Sequence, residues 1–249
     1  MTRDELIYMA KVCEQTERFD DMLIYMKKVL DFKETLTVED RNLLSVAYKN
    51  SVGTRRTAWR VLSSIETKEE AKGSAFLTLL KDYKATIETE LDTICEEIIG
   101  LLDNTLIDSK SSDSAQSDSQ SQVFYLKMRA DYYRYIGEYA SEEKHTSAAN
   151  NSFEAYTKAN DIASANLDTT NPIRLGLALN FSVFHYEVRN DPKKACELAK
   201  QAFDDAIADI ERIDEENYKD STTIMQLIRD NLTLWTSELE QDDEEAEAS

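Results

Sequence analysis

Lys49, Arg56 and Arg60 stand at i, i+7 and i+11, a spacing that places all three within a sector of about 40° on one helix. The stretch from Lys49 to Ala58 holds no acid at all, in a chain with 49 acids and 29 bases. Like charges sharing one face repel unless something anionic occupies it. A guanidinium matches phosphate with two parallel N–H donors, and a lysine adds a point charge. The chemistry these residues suit is capture of a phosphorylated side chain.

A second group of charges, Lys127, Asp131, Arg134 and Glu138, runs along another helix face, with Tyr135 beside Arg134 offering a phenolic hydroxyl. Taken alone, it reads most simply as a ladder of exposed i,i+4 ion pairs. The segment Pro172–Arg189 is apolar on more than one side, unlike a surface helix backed by a single core. Leu177, Phe181, Phe184 and Val188 form one stripe, whereas Leu179 and Val183 lie on another beside Asn180 and Glu187. The segment toward the end of the chain divides in the same way. Met225, Ile228, Leu232 and Trp235 form one stripe, and Ile224, Leu227, Asn231 and Leu234 the other.

Either helix alone is equally compatible with a position between two halves of a core, its asparagine satisfied locally. The repetition of the pattern favours a groove. An amide set in an apolar wall can donate to and accept from the backbone of an extended peptide whatever its sequence.

The elements that must carry these residues are helices. Five glycines and two prolines in 249 residues leave too little turn chemistry for a β-sandwich or barrel. Thr2 with Glu5, and Thr37 with Asp40, have capping-box spacing, while Asn171-Pro172 and Asp191-Pro192 put a cap directly before a first-turn proline. The pattern predicts nine helices, over 3–16, 19–33, 38–68, 75–107, 122–141, 147–165, 172–189, 192–210 and 216–237. Residues 108–122, almost entirely Ser, Asp and Gln, read as a flexible loop. Residues 238–249, with seven acids and no base, read as a disordered tail. No internal repeat of fixed period is evident.

A net charge of −20 argues against nucleic acid or anionic membranes as partners. Cys13, Cys95 and Cys196 are too far apart in sequence for a disulfide framework or a metal-type spacing. The amino terminus is too polar for a signal peptide and no apolar run reaches bilayer length, so a reducing, cytoplasmic setting is expected. The two histidines, His145 and His185, are isolated, and no phosphate-loop, dinucleotide, nucleophile-elbow or metalloprotease motif occurs. Neither catalysis nor a metal or cofactor is expected.

Arg41 to Asn50 (RNLLSVAYKN), Tyr218 to Thr222 (YKDST) and Asp230 to Trp235 (DNLTLW), with VFYLKM and DYYRY between Val123 and Tyr135 and NPIRLGLALNFSVF from Asn171 to Phe184, resemble signatures of the 14-3-3 family of phosphoserine/phosphothreonine-binding adaptors. The resemblance spans everything but the serine-rich loop and the acidic tail. It implies a single all-α domain over 1–237, of nine antiparallel helices, dimerising through its N-terminal helices into a cup with one amphipathic groove per subunit.

By the same resemblance, Lys49, Arg56, Arg134 and the Tyr135 hydroxyl clamp phosphate, and Asn180 and Asn231 hold the peptide backbone. Leu179, Val183, Ile224, Leu227 and Leu234 form the apolar wall, supported by Arg60, Lys127, Glu187 and Trp235. Asp131 and Glu138 become partners that hold Arg134 in place. Arg18, Asp21, Tyr83 and Glu90 fall at the dimer face, homo- or heteromeric. Thr223 stands where leucine is common on the groove wall, Ala58 where some members carry a regulatory serine, and Thr86 where a lysine would meet Asp21. The implied partners are phosphorylated client proteins, in the cytoplasm and, through clients, the nucleus. A helical scaffold for acidic, unphosphorylated peptides is the alternative reading, and an acid-rich hydrolase the third.

Overall fold

Threonine and proline punctuation sets the helix starts. The computed structural model describes the backbone of residues 1–107 and 115–247 and the side chains of 1–107 and 119–241. Among the described residues nine α-helices and no strand are found. The chain divides into two compact units, Met1–Thr105 and Leu106–Ser249.

In the first unit, α1 (Arg3–Gln15) and α3 (Val38–Ala71) begin at Thr2 and Thr37, each with a complete capping box, so two otherwise orphaned N–H groups are satisfied at each start. Between them lies α2 (Phe19–Leu30), and α4 (Leu77–Leu101) follows, continued by a π-helical turn at Leu102–Leu106. Gly73 ends α3 with φ 65°, a left-handed position where a side chain would be strained. Its N–H and that of Ser74 close back onto Glu70 and Glu69, capping the last carbonyls. Met22, Met26, Leu44, Tyr48, Leu91 and Ile98 are fully buried. The Tyr48 hydroxyl donates to Glu97 at 2.6 Å, and Lys27 reaches the same carboxylate at 2.7 Å. Arg55 ties three helices together, donating to Asp20 at 2.9 Å and Glu90 at 2.7 Å.

The second unit comprises α5 (Ala115–Tyr139), α6 (Glu142–Asn166), α7 (Pro172–Glu187), α8 (Pro192–Ala208), a 3-10 turn (Ile210–Arg212) and α9 (Glu215–Glu247). The Asn171 and Asp191 side chains cap α7 and α8 ahead of their prolines. The unit holds two apolar clusters. One draws Val123 and Leu126 of α5, Ala155, Tyr156 and Ala159 of α6, and Leu177, Phe181 and Phe184 of α7. The other draws Leu175 of α7, Ala195 and Ala199 of α8, and Met225, Ile228 and Trp235 of α9. Shared between them, α7 is apolar on two sides for that reason, and Leu179 and Val183 pack half-buried against the second cluster.

Most boundaries fall within a few residues of the sequence expectation, and those of α6, α5 and α9 depart further. α6 starts at Glu142 rather than 147, its first turn carrying Glu142 and Glu143, which favour the positive end of the helix dipole. α5 already runs from Ala115 inside the serine-rich segment, and α9 continues to Glu247 through much of the acidic end. Composition argued that these stretches bury little. A helix already nucleated by packing nonetheless extends at one hydrogen bond per residue fixed. Residues 108–114 and 248–249 lie outside the described residues. Among the described residues no helix is long and apolar enough to cross a membrane.

His185 is buried among Phe153, Phe181 and Phe184, with ring centroids at 6.1, 4.9 and 5.7 Å, and its Nδ1 has no hydrogen-bond partner among the described residues. Burial lowers its pKa below the ordinary 6.5, outweighing the carboxylates of Asp191 and Glu197, while Lys194 and Arg189 push the same way as burial. The unfolded chain therefore takes up this proton first, and the fold loses stability as pH falls through about 6.5. Melting temperature measured from pH 7.5 to 5.5 should drop more for the wild type than for His185→Phe.

Candidate functional site

Asp131 sits one turn after Lys127 and three residues before Arg134 on α5, so its carboxylate lies between two cations. Its side chain is 9% exposed. Lys127 Nζ donates to one oxygen at 2.9 Å, Asn180 Nδ2 of α7 lies 2.9 and 3.0 Å from the two oxygens, and the Tyr156 hydroxyl of α6 donates to Oδ1. Burial alone would raise the Asp131 pKa. The charges of Lys127 and Arg134, with the Tyr156 and Lys127 hydrogen bonds, reverse this and lower it, so Asp131 stays ionised. The same surroundings push the Tyr156 hydroxyl well above its usual value, burial first and the Asp131 charge second. Tyr156 therefore stays a donor.

Arg134 is 8% exposed, yet its contacts are long. Nε reaches the Tyr156 hydroxyl oxygen at 3.4 Å, Nη1 reaches Glu187 Oε2 at 3.4 Å and Nη2 lies 3.8 Å from Asp131. The guanidinium also lies 4.9 Å from the centre of the Tyr135 ring. Burial works against its charge, but the neighbouring tyrosines and Asp131 hold its pKa above the ordinary value. Charge-assisted N–H···O bonds close to about 2.7–2.9 Å when they can. Here a buried, permanently charged fork with five donors is held in place without being saturated by its neighbours, and a further anion would be bound there with little cost in desolvation.

The apolar side of the site adjoins this group through Gly176. A Cβ at that position would stand 3.7 Å from Lys127 Cε and 4.0 Å from Ile224 Cδ1, so the stem of Lys127, the backbone of α7 and the edge of α9 meet there. Along α9, Leu227 and Leu234 are 47% and 56% exposed, large for aliphatic side chains on a packed helix, with Asn231 half-buried between them. Ile224, Leu179 and Val183 are half-buried beside the core. Trp235 belongs to the core, 4% exposed and stacked on Tyr186 at 4.9 Å, so it supports α9 from beneath. Thr223 is exposed and donates to the Lys219 carbonyl at 2.7 Å, satisfying its hydroxyl within the helix.

The second unit thus brings together Lys127, Asp131, Arg134, Tyr135, Asn180 and Glu187. Ile224, Leu227, Asn231 and Leu234 line the neighbouring helix. Asn180 spends its N–H group on Asp131, which leaves the amide oxygen as its acceptor. The first unit carries Lys49, Arg56 and Arg60 on α3, the outer two exposed and Arg56 half-buried. It also carries the remaining expected residues. Arg18 pairs with Asp21 and Glu90 with Arg55 inside the single chain, and Tyr83 is 57% exposed.

Tyr156 was not singled out by the sequence. The available signal was a lone tyrosine on the alanine-rich inner face of α6, since a buried phenol almost always finds a partner.

The sequence matches the family model described as 14-3-3 protein over residues 9–236. It is 55% identical over 244 residues to 14-3-3-like protein GF14-F of Oryza sativa subsp. japonica, covering 97% of this chain and 92% of that one. It is 54% identical over 243 residues to 14-3-3-like protein GF14 chi of Arabidopsis thaliana, covering 96% and 89%. The chain belongs to the 14-3-3 family, a family of adaptor and regulatory proteins.

Removing the central carboxylate should cost most. Asp131→Asn leaves Arg134 and Lys127 without their shared buried counter-ion and should lower unfolding free energy by about 3 kcal/mol, read by urea denaturation. Tyr156→Phe removes one hydroxyl and should cost about 1 kcal/mol.

Proposed function

We propose that this chain is a non-enzymatic adaptor that binds phosphorylated serine or threonine segments of client proteins in extended conformation. The observation that carries this reading is Arg134, a buried guanidinium whose hydrogen bonds and ion pairs among the described residues are all 3.4 Å or longer. In the proposal, Lys49 and Arg56 of the first unit act on the same phosphate as Arg134 and the Tyr135 hydroxyl. Asn180 and Asn231 hold the peptide backbone, and Leu179, Val183, Ile224, Leu227 and Leu234 take the flanking side chains. Arg60, Lys127, Asp131, Glu187 and Trp235 hold the set in place. Family membership supports this grouping, as does the common face of the three α3 cations.

Self-association through the N-terminal helices, with Arg18, Asp21, Tyr83 and Glu90 at the contact, belongs to the same proposal, as do residence in the cytoplasm and treatment of residues 1–237 as one functional domain. Two sites on one dimer would raise the affinity for a doubly phosphorylated client by about 10²-fold or more through effective concentration.

Fluorescence anisotropy of a phosphoserine peptide and its unphosphorylated twin tests the reading. The phosphopeptide should bind at least about 30-fold more tightly, the equivalent of roughly 2 kcal/mol for a desolvated charge pair. Lys49→Glu should abolish that preference, and Leu227→Asp should weaken binding with the phosphate preference retained. Equal binding of the two peptides would overturn the proposal in favour of a scaffold for acidic peptides.

A further inference from the structure

The side of α7 turned away from Asn180 and Val183 borders a cavity of about 240 Å³, walled by α6, α7 and α8. Arg174, Leu175, Ala178 and Phe181 enter it at i, i+1, i+4 and i+7, roughly opposite the sector of Gly176, Leu179 and Val183 on the same helix. Leu175 and Phe181 are buried and, with Leu198 of α8, give it an apolar floor.

Two opposite charges line this space. Arg174 Nη1 donates to the Leu167 carbonyl at 2.7 Å, which orients the guanidinium and leaves its other donors for a ligand. Asp205 accepts from Gln201 Nε2 at 2.7 Å, which likewise fixes the carboxylate. Among the described residues neither forms an ion pair, with the other or with any third group. A cation and an anion held apart in one partly enclosed cavity, above an apolar floor, complement a small molecule with the reverse arrangement. At about 30 Å³ of liquid volume per water, the space equals roughly eight waters, the scale of a single amino acid.

We infer that this cavity is a binding site for a free apolar α-amino acid, its carboxylate on Arg174, its ammonium on Asp205 and its side chain over Leu175, Phe181 and Leu198. The site is independent of phosphopeptide recognition. So small a ligand binds with a dissociation constant on the order of 1 mM.

The test uses the full chain, ¹⁵N-labelled, titrated with L-leucine, with isocaproate, which lacks the amine, and with isopentylamine, which lacks the carboxylate. L-leucine should shift the amide signals of Thr169, Ala178 and Ala202 saturably, with a millimolar midpoint. Each half-analogue should bind at least about 10-fold more weakly, since it gives up one charge-assisted hydrogen bond. Asp205→Asn, which keeps an acceptor for Gln201, should weaken L-leucine to the level of isocaproate, and Ala178→Leu should block the cavity. The amide spectrum of each variant reports its folding; if Ala178→Leu does not fold, Asp205→Asn and the analogue series decide. No saturable shift with L-leucine, equal binding of a half-analogue, or undiminished binding by Asp205→Asn would each overturn the assignment.

Discussion

Everything at the candidate site turns on one buried carboxylate. Asp131 is set between Lys127 and Arg134 by the pitch of α5, and is then claimed by Tyr156 from α6 and Asn180 from α7. A buried anion is costly unless several partners meet it, and here they come from three helices. The positions of α5, α6 and α7 relative to one another are therefore restricted by electrostatics as well as by packing. What the arrangement yields is Arg134, kept charged and aimed by contacts too long to saturate it. A buried arginine closely paired with a carboxylate would be stable and inert; a loosely held one retains capacity for an external anion.

The division of labour along α7 follows from its position between two clusters. Leu177, Phe181 and Phe184 face one, Leu175 faces the other, and between these commitments the helix still presents Asn180 and Glu187 to the charged group. Gly176 belongs to this economy of space, because its missing side chain lets the Lys127 stem and Ile224 come near the α7 backbone. The exposed leucines of α9 can stay exposed because Trp235 and Ile228, on its other face, anchor the helix.

Much of this was legible in the residues. Capping boxes and proline positions gave the starts of α1, α3, α7 and α8, because those signals are local and chemically definite. The split stripes of α9 distinguish the buried Met225, Ile228 and Trp235 from the exposed Leu227 and Leu234, whereas the second stripe of α7, Leu179 and Val183, packs against a second cluster that the sequence does not reveal. Lys127 and Asp131 read as rungs of a surface ladder, and periodicity cannot reveal that Asp131 and Arg134 are buried. Tyr156 lies 25 residues beyond Asp131, and only tertiary structure connects two such positions. Composition does not disclose the extensions of α5 and α9, because it measures what a segment can bury, whereas helix propagation needs only a packed neighbour to grow from.

Because α7 contributes to both clusters, neither half of the second unit can open alone without stripping one side of it. Local unfolding that released α8 and α9 would expose Leu175 and the underside of Val183, and release of α5 and α6 would expose Phe181 and Phe184. Regions that take part in every low-energy opening exchange their amide hydrogens quickly, while a segment freed only by the largest opening exchanges slowly. Because either opening leaves one side of α7 packed, its backbone amides are expected to be among the last in their unit to exchange with solvent.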